Sequence, residues 1–228
     1  MIITIDGPTA SGKSTTAQML SCKLGFFYLN SGFLYRALAY ILMNNNGYTA
    51  KNMHAVTKED IRAIELDSLT YSSDDLDNPH IHYKNKEITG YLKANADIDQ
   101  ASSILSTNSE IRNALLEVQR TIGKKHDLVI DGRDAGSVVF PYADFKFYLT
   151  APLEVRARRW MHDQSLRGKS IKLEEALQQL RVRDERDMSR AVAPLKVPEG
   201  AIILDNEAYT LEETVMMMYN LVKGFKSK

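Results

Sequence analysis

The sequence predicts an α/β fold in which helices wind on both sides of a five-stranded parallel sheet. Short runs rich in β-branched and aromatic residues alternate along the chain with segments whose apolar residues have helical spacing. Such alternation is typical of parallel sheets, because a crossover must separate each strand from the next. The 228 residues are enough for one α/β core and a small insertion, so we expect a single domain over residues 1–228.

The first half of the chain contains two of these strands and an insertion. Residues 66–92 form short alternating segments separated by turn residues, which predicts a small antiparallel meander that differs from the parallel core. We assign the inserted subdomain to about residues 65–98. The other elements expected here are a strand at 1–6, a helix at 14–24, a strand at 26–29, a helix at 33 to about 43 with Ser31 as its N-cap, and a helix at about 108–124.

The alternation of strands and helices resumes in the second half. We expect strands at 128–131, 145–149 and 201–205, and helices at about 153–167, 173–189 and 211–222. In an open sheet of this type, ligands bind at the carboxyl ends of the strands. The loops that follow the strands are therefore the place to search for functional residues.

A glycine-rich loop lies between the first strand and the first helix. Glycine, four further residues, glycine, lysine and serine follow one another in the spacing of a loop that binds nucleotide phosphates. Backbone N–H groups of such a loop surround a phosphate, and the helix N-terminus adds partial positive charge. Lys13 is expected to reach the β- and γ-phosphates, and the Ser14 hydroxyl to bind Mg²⁺. The predicted triphosphate site comprises Gly7, Pro8, Thr9, Ala10, Ser11, Gly12, Lys13, Ser14 and Thr15.

Composition argues against several other classes of protein. Lysine plus arginine and aspartate plus glutamate both number 29, and a general nucleic-acid binder would carry a basic excess. No apolar stretch approaches the roughly 20 residues of a membrane span. The single Cys22 excludes an internal disulfide, and the first strand leaves no room for a signal peptide. We therefore expect a cytoplasmic protein that binds neither nucleic-acid polymers nor membranes.

Three further motifs resemble those of the bacterial type of cytidylate kinase, in matching order through nearly the whole chain. They are Asn30-Ser31-Gly32-Phe33-Leu34-Tyr35-Arg36, Asp131-Gly132-Arg133-Asp134-Ala135-Gly136-Ser137-Val138-Val139-Phe140-Pro141, and Arg183-Asp184-Glu185-Arg186-Asp187-Met188-Ser189-Arg190 followed by Ala193-Pro194-Leu195. The chain departs from the family at Asn30, where Asp is usual, and at Thr9-Ala10-Ser11, where Gly or Ala is more common in the middle of the loop.

The resemblance implies a nucleoside monophosphate kinase of the P-loop type, with the insertion as its acceptor-binding subdomain. It implies transfer of a phosphoryl group from ATP to CMP or dCMP with Mg²⁺ as cofactor. It also implies a mobile helical lid over about residues 156–170. We expect a monomer whose partners are these small substrates.

The resemblance also assigns roles to residues at the acceptor site. Asp134 would accept a hydrogen bond from N4 of cytosine, Arg112 would donate to its acceptor edge, and Ser103 would assist. Arg36, Arg133 and Arg190 would clamp the acceptor phosphate, because guanidinium groups match phosphate oxygens and stay charged. The whole predicted CMP site comprises Ser31, Arg36, Ser103, Arg112, Arg133, Asp134, Arg183, Asp187 and Arg190, with Arg183 and Asp187 on the sugar.

Phosphoryl transfer to a phosphate needs charge neutralisation rather than a strong base. The acceptor oxygen is already ionised near neutral pH, because the second pKa of a phosphate monoester is about 6. Eight of the thirteen arginines lie between Arg156 and Arg190, as such chemistry requires. We assign catalysis to Lys13 and Arg133 and to Arg159 or Arg158; which of these last two contacts the transferring group stays open.

Two other functions are compatible with the glycine-rich loop. One is a kinase for UMP, dTMP or a non-nucleotide acceptor such as shikimate. The other is a nucleotide-dependent switch that hydrolyses ATP slowly without an acceptor.

Overall fold

A computed structural model of the chain describes residues 1–74 and 78–226. The chain forms two compact units, one comprising Met1–Tyr28 and His126–Lys228 and the other Leu29–Lys125. Residues 75–77, which belong to the predicted insertion, lie outside the described residues.

The strands and helices alternate as the sequence predicts. The strands are β1 (Ile2–Asp6), β2 (Phe27–Asn30), β3 (Leu69–Ser73), β4 (Pro79–Tyr83), β5 (Lys86–Glu87), β6 (Leu128–Gly132), β7 (Phe145–Thr150) and β8 (Ile202–Asp205). The α-helices are α1 (Lys13–Leu24), α2 (Ser31–Asn45), α3 (Lys58–Arg62), α4 (Thr89–Ala94), α5 (Ala96–Leu105), α6 (Ser109–Lys125), α7 (Leu153–Leu166), α8 (Leu173–Ser189) and α9 (Leu211–Lys226).

The first unit is built on the predicted five-stranded parallel sheet, with strand order β2-β6-β1-β7-β8. The central strand β1 pairs with both neighbours, so that Ile3 lies opposite Val129 on one side and Phe145 on the other. Ile3 and Ile5 are fully buried together with apolar residues of α1 and α9. The carboxyl ends of β1 and β6 are adjacent, since Asp6 is in register with Gly132. This register brings the loops after the two strands together.

The second unit contains α2 to α6 and a three-stranded antiparallel sheet of order β3-β4-β5. Ile81 and Tyr83 of β4 are buried on one side of this sheet. The antiparallel sheet confirms the meander expected from the alternating pattern between residues 66 and 92.

The start of α2 differs from the prediction. The N-cap is Asn30 rather than Ser31, and the Asn30 Oδ1 accepts a hydrogen bond from the backbone N–H of Phe33 at 3.1 Å. Ser31 is the first residue of the helix. Asparagine and serine both satisfy free N–H groups at a helix start, so the sequence offered two adjacent caps, and the structure uses the earlier one.

Three helices of the second unit were not predicted. The helices α3 and α4 are only five and six residues long, too short to show a helical repeat. The helix α5 buries Ile98, Ala101 and Leu105, and the Asn95 side chain caps it by accepting from Asp97 and Ile98. None of the helices in the described part of the chain is long and apolar enough to cross a bilayer.

Candidate active site

The glycine-rich loop connects β1 to α1 through a series of unusual backbone conformations. Gly7 has φ 150° and Gly12, the N-cap of α1, has φ 89°. Ala10 has φ 59°, in the left-handed region that a residue with a Cβ occupies at a cost of about 1–3 kcal/mol. The rest of the first unit must hold the loop in this shape.

Lys13 is the first residue of α1 and is buried. Its Nζ donates to the carbonyl oxygen of Pro8 at 2.5 Å and lies 3.3 Å from the Ser11 Oγ, so that the side chain folds back over the loop. Burial, followed by the like charge of Arg133, holds the pKa of Lys13 well below its ordinary value. The charges of Asp131, Asp184 and Asp187 oppose this shift.

Ser14 and Asp131 bring two kinds of oxygen ligand together. The Ser14 hydroxyl donates to the Asp131 Oδ2 at 2.8 Å, and the Tyr28 hydroxyl donates to the Oδ1 at 2.9 Å. Asp131 is in β6, and burial raises its pKa even though these hydrogen bonds and Lys13 oppose the rise. A carboxylate beside a hydroxyl is a donor set that suits Mg²⁺, which prefers oxygen ligands.

Thr9 connects the loop to the rest of the first unit through both of its backbone groups. Its backbone N–H donates to the Asp184 Oδ1 at 2.9 Å, and its carbonyl oxygen accepts from the Arg156 Nη1 at 2.9 Å. The same Arg156 nitrogen lies 2.6 Å from the Asp184 Oδ2, while the Nε donates to the Ala151 carbonyl at 3.0 Å. Arg156, from the expected lid, therefore supports the loop in this structure.

Arg133 follows β6 and lies beside the same loop. Its Nη2 donates to the Thr9 Oγ1 at 3.1 Å, and its Nε donates to the Asp187 Oδ2 at 2.8 Å. Burial acts to lower the pKa of Arg133, but the charge and hydrogen bond of Asp187, together with the charges of Asp184 and Asp131, raise it. Arg190 is also near, since its Nη1 lies 3.9 Å from the Asp187 Oδ1. Although burial acts to raise the pKa of Asp187, Arg133 and Arg190 lower it.

Asp134 is buried at the start of a turn of π-helix, Ala135–Val139. The turn is held by Asp6, whose carboxylate accepts the backbone N–H groups of Ala135 at 2.8 Å and Gly136 at 2.7 Å. Burial raises the pKa of Asp6 to about 6, and the charge of Asp134 adds to the rise. Asp6 therefore fixes the backbone next to Asp134.

The two arginines assigned to catalysis in α7 have different surroundings. Arg159 is partly buried and donates to the side-chain and backbone oxygens of Asn206 at 2.8 and 3.0 Å. The Asn206 side chain in turn donates to the carbonyl of Ser11 in the glycine-rich loop at 3.0 Å. Arg158 is exposed and pairs with Glu154 at 2.6 Å. Of the two arginines, the one connected to the loop through Asn206 is Arg159.

The remaining predicted site residues lie in the second unit. Ser31 and Arg36 belong to α2, and the Arg36 Nη2 lies 2.7 Å from the Asp99 Oδ1. Ser103 is buried in α5. Arg112 is buried in α6 and donates to the carbonyl of Ser106, one turn after Ser103, at 3.0 Å. These contacts bring the ends of α5 and α6 together within the unit.

Arg183 lies partly buried in α8, one turn before Asp187. Its positive charge contributes to the lowered pKa of Asp187. The structure thus groups the predicted residues of the first unit around the glycine-rich loop and the start of the π-turn, apart from the exposed Arg158.

The sequence matches the profile of the cytidylate kinase family over residues 3–224, which include both units. A cytidylate kinase of Caldanaerobacter subterraneus subsp. tengcongensis is 36% identical over 221 residues, covering 97% of this chain and 94% of the relative. A cytidylate kinase of Stutzerimonas stutzeri is 39% identical with the same coverage. The chain belongs to the cytidylate kinase family. Members of this family are nucleoside monophosphate kinases, which confirms the resemblance seen in the motifs.

A solved structure agrees with the fold of this family member. An uncharacterised protein from Eubacterium ventriosum superposes with a TM-score of 0.51 over 100% of this chain and 99% of its own, at 12% identity. Identity this low supports the fold and nothing more.

Several residues of the site were not singled out from the sequence. Asp6 and Asp131 could have been, because each is a carboxylate at the end of a buried strand next to the glycine-rich loop. Asp184 lies in the third motif and Asn206 directly follows a predicted strand, but neither position indicates a contact with a loop 175 or 195 residues away. The sequence of this family member contains no local pattern that indicates these two contacts.

Replacing Gly7 with alanine tests how closely the loop is fitted to the sheet. A Cβ at this position would lie 2.0 Å from the Leu149 carbonyl oxygen, a backbone atom that cannot turn away. Overpacking of this kind typically costs about 1–3 kcal/mol, which corresponds to a fall in melting temperature of roughly 2–12 °C for a chain of this size.

The control is Gly224→Ala in α9, where a Cβ would meet nothing within 4 Å. Differential scanning calorimetry of both variants gives the comparison. A Gly7→Ala protein that melts at the wild-type temperature would contradict the close contact with β7.

Proposed function

We propose that this protein transfers the γ-phosphoryl group of ATP to CMP or dCMP. The observation that carries the proposal is the contact between Arg133 and Thr9, at 3.1 Å. It places the cation expected to bind the acceptor phosphate beside the loop expected to bind the donor phosphates. Membership of the cytidylate kinase family supports CMP as the acceptor. In this role the enzyme would be cytoplasmic and monomeric.

The donor would bind at the loop of residues 7–15. Backbone N–H groups between Gly7 and Thr15 and the N-terminus of α1 would surround its phosphates. The Lys13 ammonium donates in this structure to two oxygens of the loop itself. Its three N–H donors could move to the β- and γ-phosphate oxygens without leaving the buried site. The loop thus provides positive charge where the transferring group accumulates negative charge.

Mg²⁺ would be held by Ser14 and Asp131. When bound with ATP, the ion supplies charge neutralisation on the phosphates. Tyr28 fixes the Asp131 carboxylate from its other oxygen, so the carboxylate is oriented by two hydroxyl groups. The chemistry of this donor set, a hydroxyl and a carboxylate 2.8 Å apart, supports the assignment.

The acceptor phosphate would bind to Arg133, Arg190 and Arg36. Asp187 holds the Nε of Arg133 and lies near Arg190, so that one carboxylate orients two guanidinium groups. An acceptor phosphate that is already ionised attacks without a general base. The main task of these arginines is then to orient the acceptor phosphate in line with the donor phosphate.

The base and sugar would bind to the other residues assigned to the acceptor. Asp134 would accept from the cytosine N4 amino group, and Arg112 with Ser103 would contact the acceptor edge. Asp6 supports this role of Asp134, because it fixes the backbone of the following two residues. Ser31, Arg183 and Asp187 complete the proposed CMP site.

The segment 156–170 would act as the lid. Of its arginines, Arg159 suits a catalytic role better than Arg158, because Asn206 connects it to the glycine-rich loop. Closure over bound ATP would exclude water from the transferring group.

An acceptor screen tests the proposed reaction. ADP release is measured with CMP, dCMP, UMP, dTMP and shikimate, and without any acceptor. We expect the highest kcat/KM with CMP or dCMP, because a site with a fixed carboxylate for N4 rejects a base that lacks this donor. A higher value with UMP or dTMP would exclude the proposed specificity. ADP release that does not depend on an acceptor would instead favour a nucleotide switch.

Asp131→Asn tests the magnesium site. The amide can still hydrogen-bond to Ser14 and Tyr28, while the charge that would attract Mg²⁺ is lost. We expect the free Mg²⁺ concentration for half-maximal activity to rise at least about tenfold, as is usual when a ligand or its orienting group is removed. The control is Asp97→Asn in the exposed first turn of α5. An unchanged Mg²⁺ requirement in Asp131→Asn would remove Asp131 from the proposed site.

Asp134→Asn tests recognition of the base. Loss of a hydrogen bond to a charged group typically costs about 1.5–3 kcal/mol, or roughly ten- to more than a hundredfold in kcat/KM for CMP. UMP should lose less activity and could gain some, because an amide can donate to the O4 of uracil. ATP affinity should stay near the wild-type value. If activity with CMP and UMP falls by the same factor, Asp134 has a structural role only.

A further inference from the structure

Thr9 makes a hydrogen bond through each of its three kinds of polar group. Its N–H donates to Asp184, its carbonyl accepts from Arg156, and its hydroxyl oxygen accepts from Arg133. The residue is buried, with 6% of its surface exposed. The first two bonds fix the backbone of the loop, but the third fixes a side chain outside the loop. The third hydrogen bond therefore has a role other than shaping the loop for the donor phosphates.

The Arg133 guanidinium is held at two of its nitrogen atoms. Asp187 accepts from the Nε at 2.8 Å and Thr9 accepts from the Nη2 at 3.1 Å. Because the guanidinium is planar and rigid, two bonds to different nitrogens fix both its position and the orientation of its plane. A guanidinium carries five N–H donors, so three remain for phosphate oxygens.

The acceptor for the Nη2 is itself held in place. Asp184 and Arg156 bond to each other at 2.6 Å and to both sides of the Thr9 backbone. Arg156 is further anchored to the carbonyl of Ala151, directly after β7. The Thr9 hydroxyl therefore has little freedom to follow Arg133 if the arginine moves, and this makes it a fixed reference point for the guanidinium.

We propose that Thr9 is a positioning residue whose hydroxyl orients Arg133 toward the acceptor phosphate. The inference rests on the proposed function, in which the same loop binds the donor phosphates. Thr9 then connects the two halves of the reaction, because a residue of the loop that binds the donor also holds the arginine that would bind the acceptor phosphate. The side chain is not needed to bind ATP, which the loop contacts through its backbone and Lys13.

Two substitutions at Thr9 separate the effect of the hydroxyl group from the effect of the side-chain volume. Thr9→Val has nearly the same shape but lacks the acceptor, whereas Thr9→Ser keeps it. We expect Thr9→Val to lower kcat/KM for the nucleoside monophosphate about tenfold, since misplacing a catalytic group costs activity steeply. ATP affinity, measured by calorimetry, should change less than about threefold, the weak dependence expected where backbone groups bind the phosphates. Thr9→Ser should recover most of the lost activity.

Thr16→Val is the matched control. Its hydroxyl is buried in α1 and has no hydrogen-bond partner among the described residues, so the same chemical change there should leave kcat and KM unaltered. Melting temperatures are measured for all variants. If Thr9→Val melts near the assay temperature, Thr9→Ala removes the same hydroxyl and takes its place.

A double-mutant cycle with Arg133→Ala decides whether Thr9 acts through Arg133. If it does, Thr9→Val causes no further loss of kcat/KM in the Arg133→Ala background. An equal loss in both backgrounds, or equal activity of Thr9→Val and Thr9→Ser, overturns the inference. The cycle uses whichever nucleoside monophosphate the wild-type enzyme prefers. A preference for a base other than cytosine would contradict the proposed specificity, while the cycle would still decide the role of Thr9.

Discussion

The glycine-rich loop depends on ion pairs that are almost completely removed from water. Asp184 and Arg156, with side chains 10% and 9% exposed, bond to each other and to the backbone of Thr9. Losing one partner of a buried pair typically costs about 3–5 kcal/mol, because the other charge is left without compensation. The loop is thus held by groups whose loss the fold cannot easily tolerate. This explains how Ala10 can be kept at φ 59°.

The buried charged groups also determine how the site can stabilise a bound phosphate. Arg133 and Arg156 are paired with aspartates inside the first unit, and the charges of three aspartates also act on Lys13. A phosphate that enters such a site meets groups that are already oriented and already desolvated. Little further reorganisation is needed, and this is the condition under which fixed charges stabilise a transition state most effectively. The free energy of folding becomes less favourable in return, because several ionised groups must be buried together.

How far the sequence predicts this protein depends on the range of the interactions. The five strands, the loop of residues 7–15 and the helix α8 follow local patterns, and the structure has them where the patterns indicate. The N-cap of α2 was wrong by one residue because Asn30 and Ser31 can both cap a helix. The support of the loop could not be predicted. Asp184 and Asn206 reach it from 175 and 195 residues away, and no periodicity or spacing encodes such contacts.

Thr9 gives the glycine-rich loop a side chain that bonds to a residue outside the loop. A residue without a hydroxyl at this position would remove one of two side-chain bonds of Arg133 and leave the bond to Asp187. One bond leaves a guanidinium free to rotate about the bonded nitrogen, whereas two fix its plane. Thr9 also places a β-branched side chain directly before the strained Ala10, which limits the conformations open to the loop. Thr9 therefore makes the loop stiffer, and its hydroxyl connects the loop to the arginine that would bind the acceptor.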